Sequence, residues 1–350
     1  MKHSEYERLL AQLHHATQEA RAARRHTARL QRELDTLLAI RGAKFRTPAA
    51  LRPPSLGASA APRRDTRPIK AEATAIIVGS DWHYAEKVDP ASVNQLNRYT
   101  LDVAERRIAR FFDRGARLWS IIERDIPVPH VVLALLGDMI SGNIHADLAE
   151  SNQLPLIDEV TACGGAILHG IRQWATAYPQ KRFTVVCASG NHGRITKEQR
   201  IHTEAGNSVE RLMYVMLAAQ CEAHQNVRFI IEPGYHTYLQ VYRTTLRFHH
   251  GHAIRYTGGV GGLFVPALRT IARWNAAHHA DIDIFGHHHT QLDGGNFLAN
   301  GSLIGYSPFS LRGGYPYQPP QQTFAVIDNI RGKTSVWPIF LDEPGRAKAS

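Results

Sequence analysis

Gly286-His287-His288-His289-Thr290, directly after the apolar run Ile282-Asp283-Ile284-Phe285, is the stretch on which the reading of this chain turns. A short strand that stops at a glycine presents its last side chains alternately, so His287 and His289 are expected on one face and His288 on the other. Four other runs end in the same manner. Ala75-Ile76-Ile77-Val78 stops at Gly79-Ser80-Asp81-Trp82-His83, and Val131–Leu136 stops at Gly137-Asp138. Phe183–Cys187 stops before Gly190-Asn191-His192, and the alternating run Thr237–Phe248 leads into His249-His250-Gly251-His252. In open α/β sheets, ligand sites gather beyond the carboxyl ends of strands. Carboxylate, imidazole and amide oxygen, with no thiolate, form a donor set suited to Mn, Fe, Zn or Ni, and Mn is taken first. Two cations close together need a shared carboxylate to hold down their repulsion, and Asp138 is the natural bridge.

Between these runs the pattern turns helical. Helices are expected at about 92–123, 154–178, 205–223 and 264–277, with further strands at 227–231, 297–303 and 324–341. Strands alternating with helices, followed by a β-rich half, imply an α/β sandwich with helices covering both sheets. Trp119 and Trp174 sit at helical spacing and are assigned to the core. Cys163, Cys187 and Cys221 are too few and too scattered for a disulfide framework or a Cys-type zinc site.

The first 70 residues differ from the rest. They carry 15 Lys and Arg against 6 Asp and Glu, so nearly all of the net charge of +10 lies there. Residues 4–40 lack Pro and Gly, and Tyr6, Leu9, Leu13, Ala16, Ala20, Ala23, Thr27, Leu30, Leu34 and Leu37 recur at alternating spacings of three and four. That is a heptad seam, expected either to self-associate or to dock on the body of the protein. Residues 42–70, with Pro48, Pro53, Pro54, Pro62 and Pro68, read as a flexible basic linker. The expected divisions are a coiled-coil helix at 1–41, the linker at 42–70, a catalytic domain at 71–343 and a disordered tail at 344–350. A basic arm suits an acidic partner such as DNA or RNA, or is a solvated charged helix. The polar N-terminus and the lack of a long apolar stretch exclude a secretory leader and a membrane span, giving a soluble, cytoplasmic expectation.

Asp81-x-His83, Gly137-Asp138, Gly190-Asn191-His192, His250-Gly251 and Gly286-His287-x-His289 together resemble the five ordered motifs of the calcineurin-like metallophosphoesterases. The resemblance covers roughly residues 74–305. The family includes protein phosphatases, cyclic-nucleotide phosphodiesterases and a nuclease of double-strand-break repair, and its fold is a double β-sandwich flanked by helices. It implies two divalent metal ions: one held by Asp81, His83 and His289, the other by Asn191, His250 and His287, with Asp138 between them. It also implies phosphoester hydrolysis through a metal-bridging hydroxide, with His192 beside the scissile phosphate. Arg194 is a candidate phosphate clamp or a surface ion pair. His249, His252 and His288 are left as supporting residues.

The sequence departs from the family twice. Gly193 stands where many members have an acid, and Ser141 stands where many carry the Asp or His that orients the catalytic histidine. His145 or Asp147 are the substitutes the sequence offers. Gly258–Gly262 lacks the ending of a P-loop and reads as a mobile loop at the rim. Asn300-Gly301-Ser302 and Tyr306 are expected at the opposite rim. Tyr315-Pro316-Tyr317-Gln318-Pro319-Pro320 reads as a rigid surface turn first, with substrate stacking as the lesser alternative. The expected activity is a phosphodiesterase or nuclease. The alternatives are a small-molecule or protein phosphomonoesterase, or a metal-bearing assembly module without turnover.

Overall fold

Ala73–Gly79 forms the first strand, β1, and every one of its residues is buried. In the computed structural model, which describes residues 70–144, 146–256 and 261–343, it lies near the middle of a six-stranded sheet. The expected coil at 4–40, the linker up to residue 69 and the tail at 344–350 lie outside these residues.

Strands β2 (His130–Leu135), β3 (Arg182–Cys187) and β4 (Val227–Ile231) follow β1 in parallel. Ala75 and Ile77 enter one apolar core and Ile76 and Val78 the other, which is why the strand reads as an unbroken apolar run. Helices α1 (Leu101–Ile122), α2 (Ala146–Ser151), α3 (Leu156–Ala177) and α4 (Val209–Gln220) fall between these strands. The long helices α1, α3 and α4 supply Phe111, Phe112, Trp119, Trp174 and Met213 to the outer core, so Trp119 and Trp174 are core residues as expected.

A second sheet holds β5 (Thr237–Val241), β6 (Thr244–Phe248), β7 (Ile282–Phe285), β8 (Leu292–Asp293) and β9 (Phe297–Ala299), in the order β5-β6-β7-β9-β8. Leu246, Phe248, Ile282, Ile284 and Leu298 pack against Ile76, Val78, Val132 and Ala134, which joins the two sheets face to face. Helix α5 (Phe264–Asn275) covers the outer side of this sheet, with Ala267 and Ile271 against Phe285 and Phe297. After α6 (Pro308–Arg312), the chain returns to the first sheet as β10 (Gln321–Asp328), antiparallel to β1, and β11 (Gly332–Phe340). The architecture is an α/β double sandwich flanked by helices.

Several boundaries differ from expectation, each for a local reason. Helix α1 starts at Leu101 and not near 92, because Asn94 and Gln95 take left-handed backbone after a 3-10 turn at Pro90–Val93. The run 237–248 is a hairpin, broken at Tyr242 with φ 54°. Of 297–303, only Phe297–Ala299 is strand. The region 324–341 is the β10–β11 hairpin. Among the described residues, no helix is long and apolar enough to cross a membrane.

Candidate metal centre

Because β1, β2 and β3 run parallel, as do β6 and β7, their carboxyl ends feed five loops into one region. Three candidate ligand groups form there. The donor atoms of Asp81, His83 and His289 lie within 4.8 Å of one another, as do those of Asp138, His250 and His287. A third group joins His83, Asp138 and His192. Asp138 is therefore shared, with His250 Nε2 3.0 Å from its Oδ2 and His192 Nε2 4.0 Å away. Asn191 reaches the same place, its Oδ1 3.1 Å from His250 Nε2. On the other side His83 Nε2 faces His289 Nε2 at 3.2 Å, and His289 Nε2 lies 3.5 Å from Asp81 Oδ1.

His287 and His289 do not work as alternating strand residues. Strand β7 ends at Phe285, and the two histidines lie beyond it with φ of 69° and 49°. This left-handed backbone turns them apart, so His287 joins Asp138 and His250 while His289 joins Asp81 and His83. Asp81, His83 and Asp138 also have positive φ, at 55°, 46° and 50°. Residues other than glycine rarely adopt such values, and they concentrate at sites where function holds them.

The donor chemistry fits cations. His250 Nδ1 is 2.7 Å from the carbonyl of Leu136, which can only accept, so Nδ1 carries the proton. Nε2 then points a lone pair at two oxygens that offer only lone pairs, Asn191 Oδ1 and Asp138 Oδ2. Something positive has to sit between them. Without a metal, a proton takes that place: burial opposes the charge, but the carboxylate of Asp138 outweighs it and pushes His250 up to about 10. A metal bound there would displace that proton. Burial, reinforced by nearby imidazoles, holds His83 and His287 well below the usual histidine range, in the neutral form that ligates.

Two buried acids that sequence reasoning missed hold the loops. Glu210 on α4 accepts from the backbone N–H groups of Met139 (2.6 Å) and Gly190 (2.7 Å), tying the loops of Asp138 and Asn191 together. Glu159 on α3 accepts from Ala85, Ser141 and Gly142. Burial, then the charge of Asp138, pushes Glu210 up to about 7, and burial raises Glu159. A signal was present. Glu159 continues the buried stripe of Cys163, Ile167, Ile171 and Trp174, and Glu210 that of Met213, Tyr214 and Leu217.

The remaining supports are equally local. Ser80 Oγ donates to Asp81 Oδ2 and accepts from Asn300 Nδ2 at 2.8 Å. Asn300, Gly301 and Ser302 are thus buried beneath Asp81 and do not line a rim. Gln322, also missed, accepts from the backbone of Ser80 and the indole of Trp82. His249 stacks on Phe285, with its Nε2 3.3 Å from Asp283, which is paired with Arg247.

His192 is oriented by main chain. Its Nδ1 lies 2.8 Å from the carbonyl of Ser141, so Nδ1–H donates and Nε2 turns toward Asp138. The position where the family carries a side-chain partner thus contributes a backbone oxygen. Asp147 is exposed on α2, and His145 lies outside the described residues, as does 257–260 within the glycine loop. Arg194 donates from Nη1 to the carbonyl of Asn191 at 2.6 Å, which braces the ligand loop.

No family model matches the chain, and no curated protein matches it. Solved structures do align with it. A predicted phosphoesterase from Streptococcus pneumoniae is 13% identical over 73% of this chain and 83% of its own, with a TM-score of 0.29. Vps29 from Entamoeba histolytica is 13% identical over 75% and 97%, TM-score 0.31. A hypothetical protein from Pyrococcus horikoshii is 10% identical over 77% and 89%, TM-score 0.39. The two packed sheets and the order of the loops that bear the candidate ligands agree with the double β-sandwich that the sequence resemblance leads one to expect.

Proposed function

We propose that this chain is a dinuclear metal-dependent phosphoesterase, acting as a phosphodiesterase on nucleic acid. The observation that carries the reading is the position of Asp138, grouped on one side with His250 and His287 and on the other with His83, which is itself grouped with Asp81 and His289; Asn191 lies beside His250. Those seven residues would hold two divalent ions, Mn first and Fe, Zn or Ni as alternatives. When bound, such ions supply a nucleophile at neutral pH and neutralise charge on the phosphoryl oxygens.

The chain's own residues do the rest. Ser141 holds His192 so that Nε2 faces the centre, where the protonated ring can donate to the departing oxygen. Glu210 and Glu159 fix the loops, so the ligands converge without reorganisation. Arg194 braces Asn191 through the backbone, so its guanidinium is engaged within its own loop. That favours a diester, whose single negative charge demands less neutralisation than a dianionic monoester. A cavity of about 620 Å³, lined in part by Glu204, Tyr235, His252 and Arg255, adjoins the His250 side and gives room for an organic substituent. The basic first 70 residues support a polyanionic substrate.

The test is turnover of bis(p-nitrophenyl) phosphate, p-nitrophenyl phosphate and single- and double-stranded DNA with Mn, Ni or Zn. The diester and DNA are expected to be cleaved. His192→Asn is expected to lower kcat by about 10²- to 10⁴-fold while metal content by elemental analysis stays unchanged. Turnover of the monoester with DNA untouched overturns the nucleic-acid reading.

A further inference from the structure

Phe309 is 63% exposed, yet its ring centroid lies only 6.4 Å from that of His289. It sits on α6, a single short turn fixed from below. Ser307 caps the turn by accepting from Ser310 N, and both serines are buried. With its neighbours so anchored, the phenyl ring is directed outward beside the ligand group of Asp81, His83 and His289. Tyr315 lies against it at 5.7 Å with the planes 30° apart, a stacked pair. Tyr256 continues the row 6.2 Å beyond Tyr315. Arg312, three residues after Phe309 on the same turn, is exposed.

Single exposed aromatics are ordinary on protein surfaces. This one is different in being backed by a second ring and placed one ring away from a candidate ligand. A preset, solvent-facing aromatic stack next to a phosphate site, with a cation alongside, is the arrangement that binds a nucleobase by its π face while leaving its identity unread. We propose that Phe309, supported by Tyr315, is the platform for the base of a nucleotide unit adjoining the scissile phosphate, with Arg312 facing the next phosphate along the strand. The proposal rests on the phosphodiesterase reading above and narrows its substrate to a single-stranded or unstacked nucleotide diester.

The test uses the full chain with Mn and two diesters that share a leaving group and charge: thymidine 5′-(p-nitrophenyl phosphate) and methyl p-nitrophenyl phosphate. Both release p-nitrophenolate when the bond from phosphorus to the aryl oxygen is hydrolysed, and they differ in the presence of a nucleoside. The wild type is expected to prefer the nucleotide in kcat/KM. Phe309→Ala is expected to reduce the ratio of the two kcat/KM values by about 10-fold, within the range that base stacking supports, and Phe309→Trp to restore it. A ratio unchanged by Phe309→Ala overturns the platform, including the case in which both rates fall by the same factor. If the wild type hydrolyses neither ester, the phosphodiesterase reading fails and the platform with it. Because Phe309 is exposed, its loss leaves no core cavity, and circular dichroism of each variant is expected to match the wild type.

Discussion

At Gly190 the backbone passes so close to Asp138 that an added Cβ would lie 2.0 Å from the Oδ1 of that carboxylate and 2.3 Å from its backbone nitrogen. At Gly286 an added Cβ would lie 2.4 Å from Asp81 Oδ2. These glycines let separate loops approach closely enough for their acids to share a site. Gly190→Ala is therefore expected to displace Asp138, lowering the bound metal by at least one ion per chain in elemental analysis. It is also expected to cost about 1–3 kcal/mol in urea unfolding, the usual cost of forcing extra volume into packed structure. Metal content equal to the wild type would contradict this. The clustering of the candidate ligands was legible because Asp, Asn and His at strand ends, in short runs that each contain a glycine, are chemically specific. Glu159 and Glu210 were not, since an acid on an amphipathic helix ordinarily marks its wet face. Only their place in the apolar stripe marks them as buried. The orientation of His192 was hidden for another reason: a backbone carbonyl leaves no trace in residue identity.

Strand β2 carries a separate pH dependence, remote from the ligands. His130 is buried between Thr74 and Thr184, with Nε2 2.9 Å from Thr184 Oγ1. Burial, and then the charge of Arg182, push it down from 6.5 to about 4. The folded pKa lies below the unfolded one, so the unfolded chain binds the extra proton first as pH falls. Stability from this group is full above about 6.5 and is lost progressively toward 4. Between pH 7 and pH 5, the wild type is expected to lose about 2 kcal/mol more than His130→Gln in urea unfolding, by proton linkage. Equal losses would show that His130 does not govern the window. At this scale the core strands were plain from their apolar runs, because strands buried on both faces admit little else. Boundaries were less so. The start of α1 is set by the left-handed Asn94 and Gln95, and the hairpin at Tyr242 interrupts an alternation that by itself suits one long strand.

For the molecule as a whole, the two sheets converge on a cluster of lone pairs that a bound cation would relieve. Chelation is expected to lower the melting temperature by about 5 to 10 °C, and Mn to restore it. The size follows from roughly 2.7 kcal/mol for a ligand at a hundred times its Kd and about 2 to 4 °C per kcal/mol in a domain of this size. An unchanged melting temperature would speak against bound metal in the native protein. Removing residues 1–45 is expected to lower the mass measured by light scattering while sparing turnover of small esters, if the heptad seam joins subunits. An unchanged mass would rule that seam out as the joint. The sandwich was legible as a whole because strand and helix periods alternate clearly through residues 74–305.

The backbone at Asp81, His83, Asp138, His287 and His289 has a consequence for how this protein can change. Each holds a side chain in a conformation that glycine would adopt with little strain, at a cost on the order of 1 kcal/mol or more per residue. Where no metal is bound, selection for heat resistance alone should therefore favour glycine or asparagine at these positions. A hardened variant obtained that way would keep its shape and forfeit its chemistry.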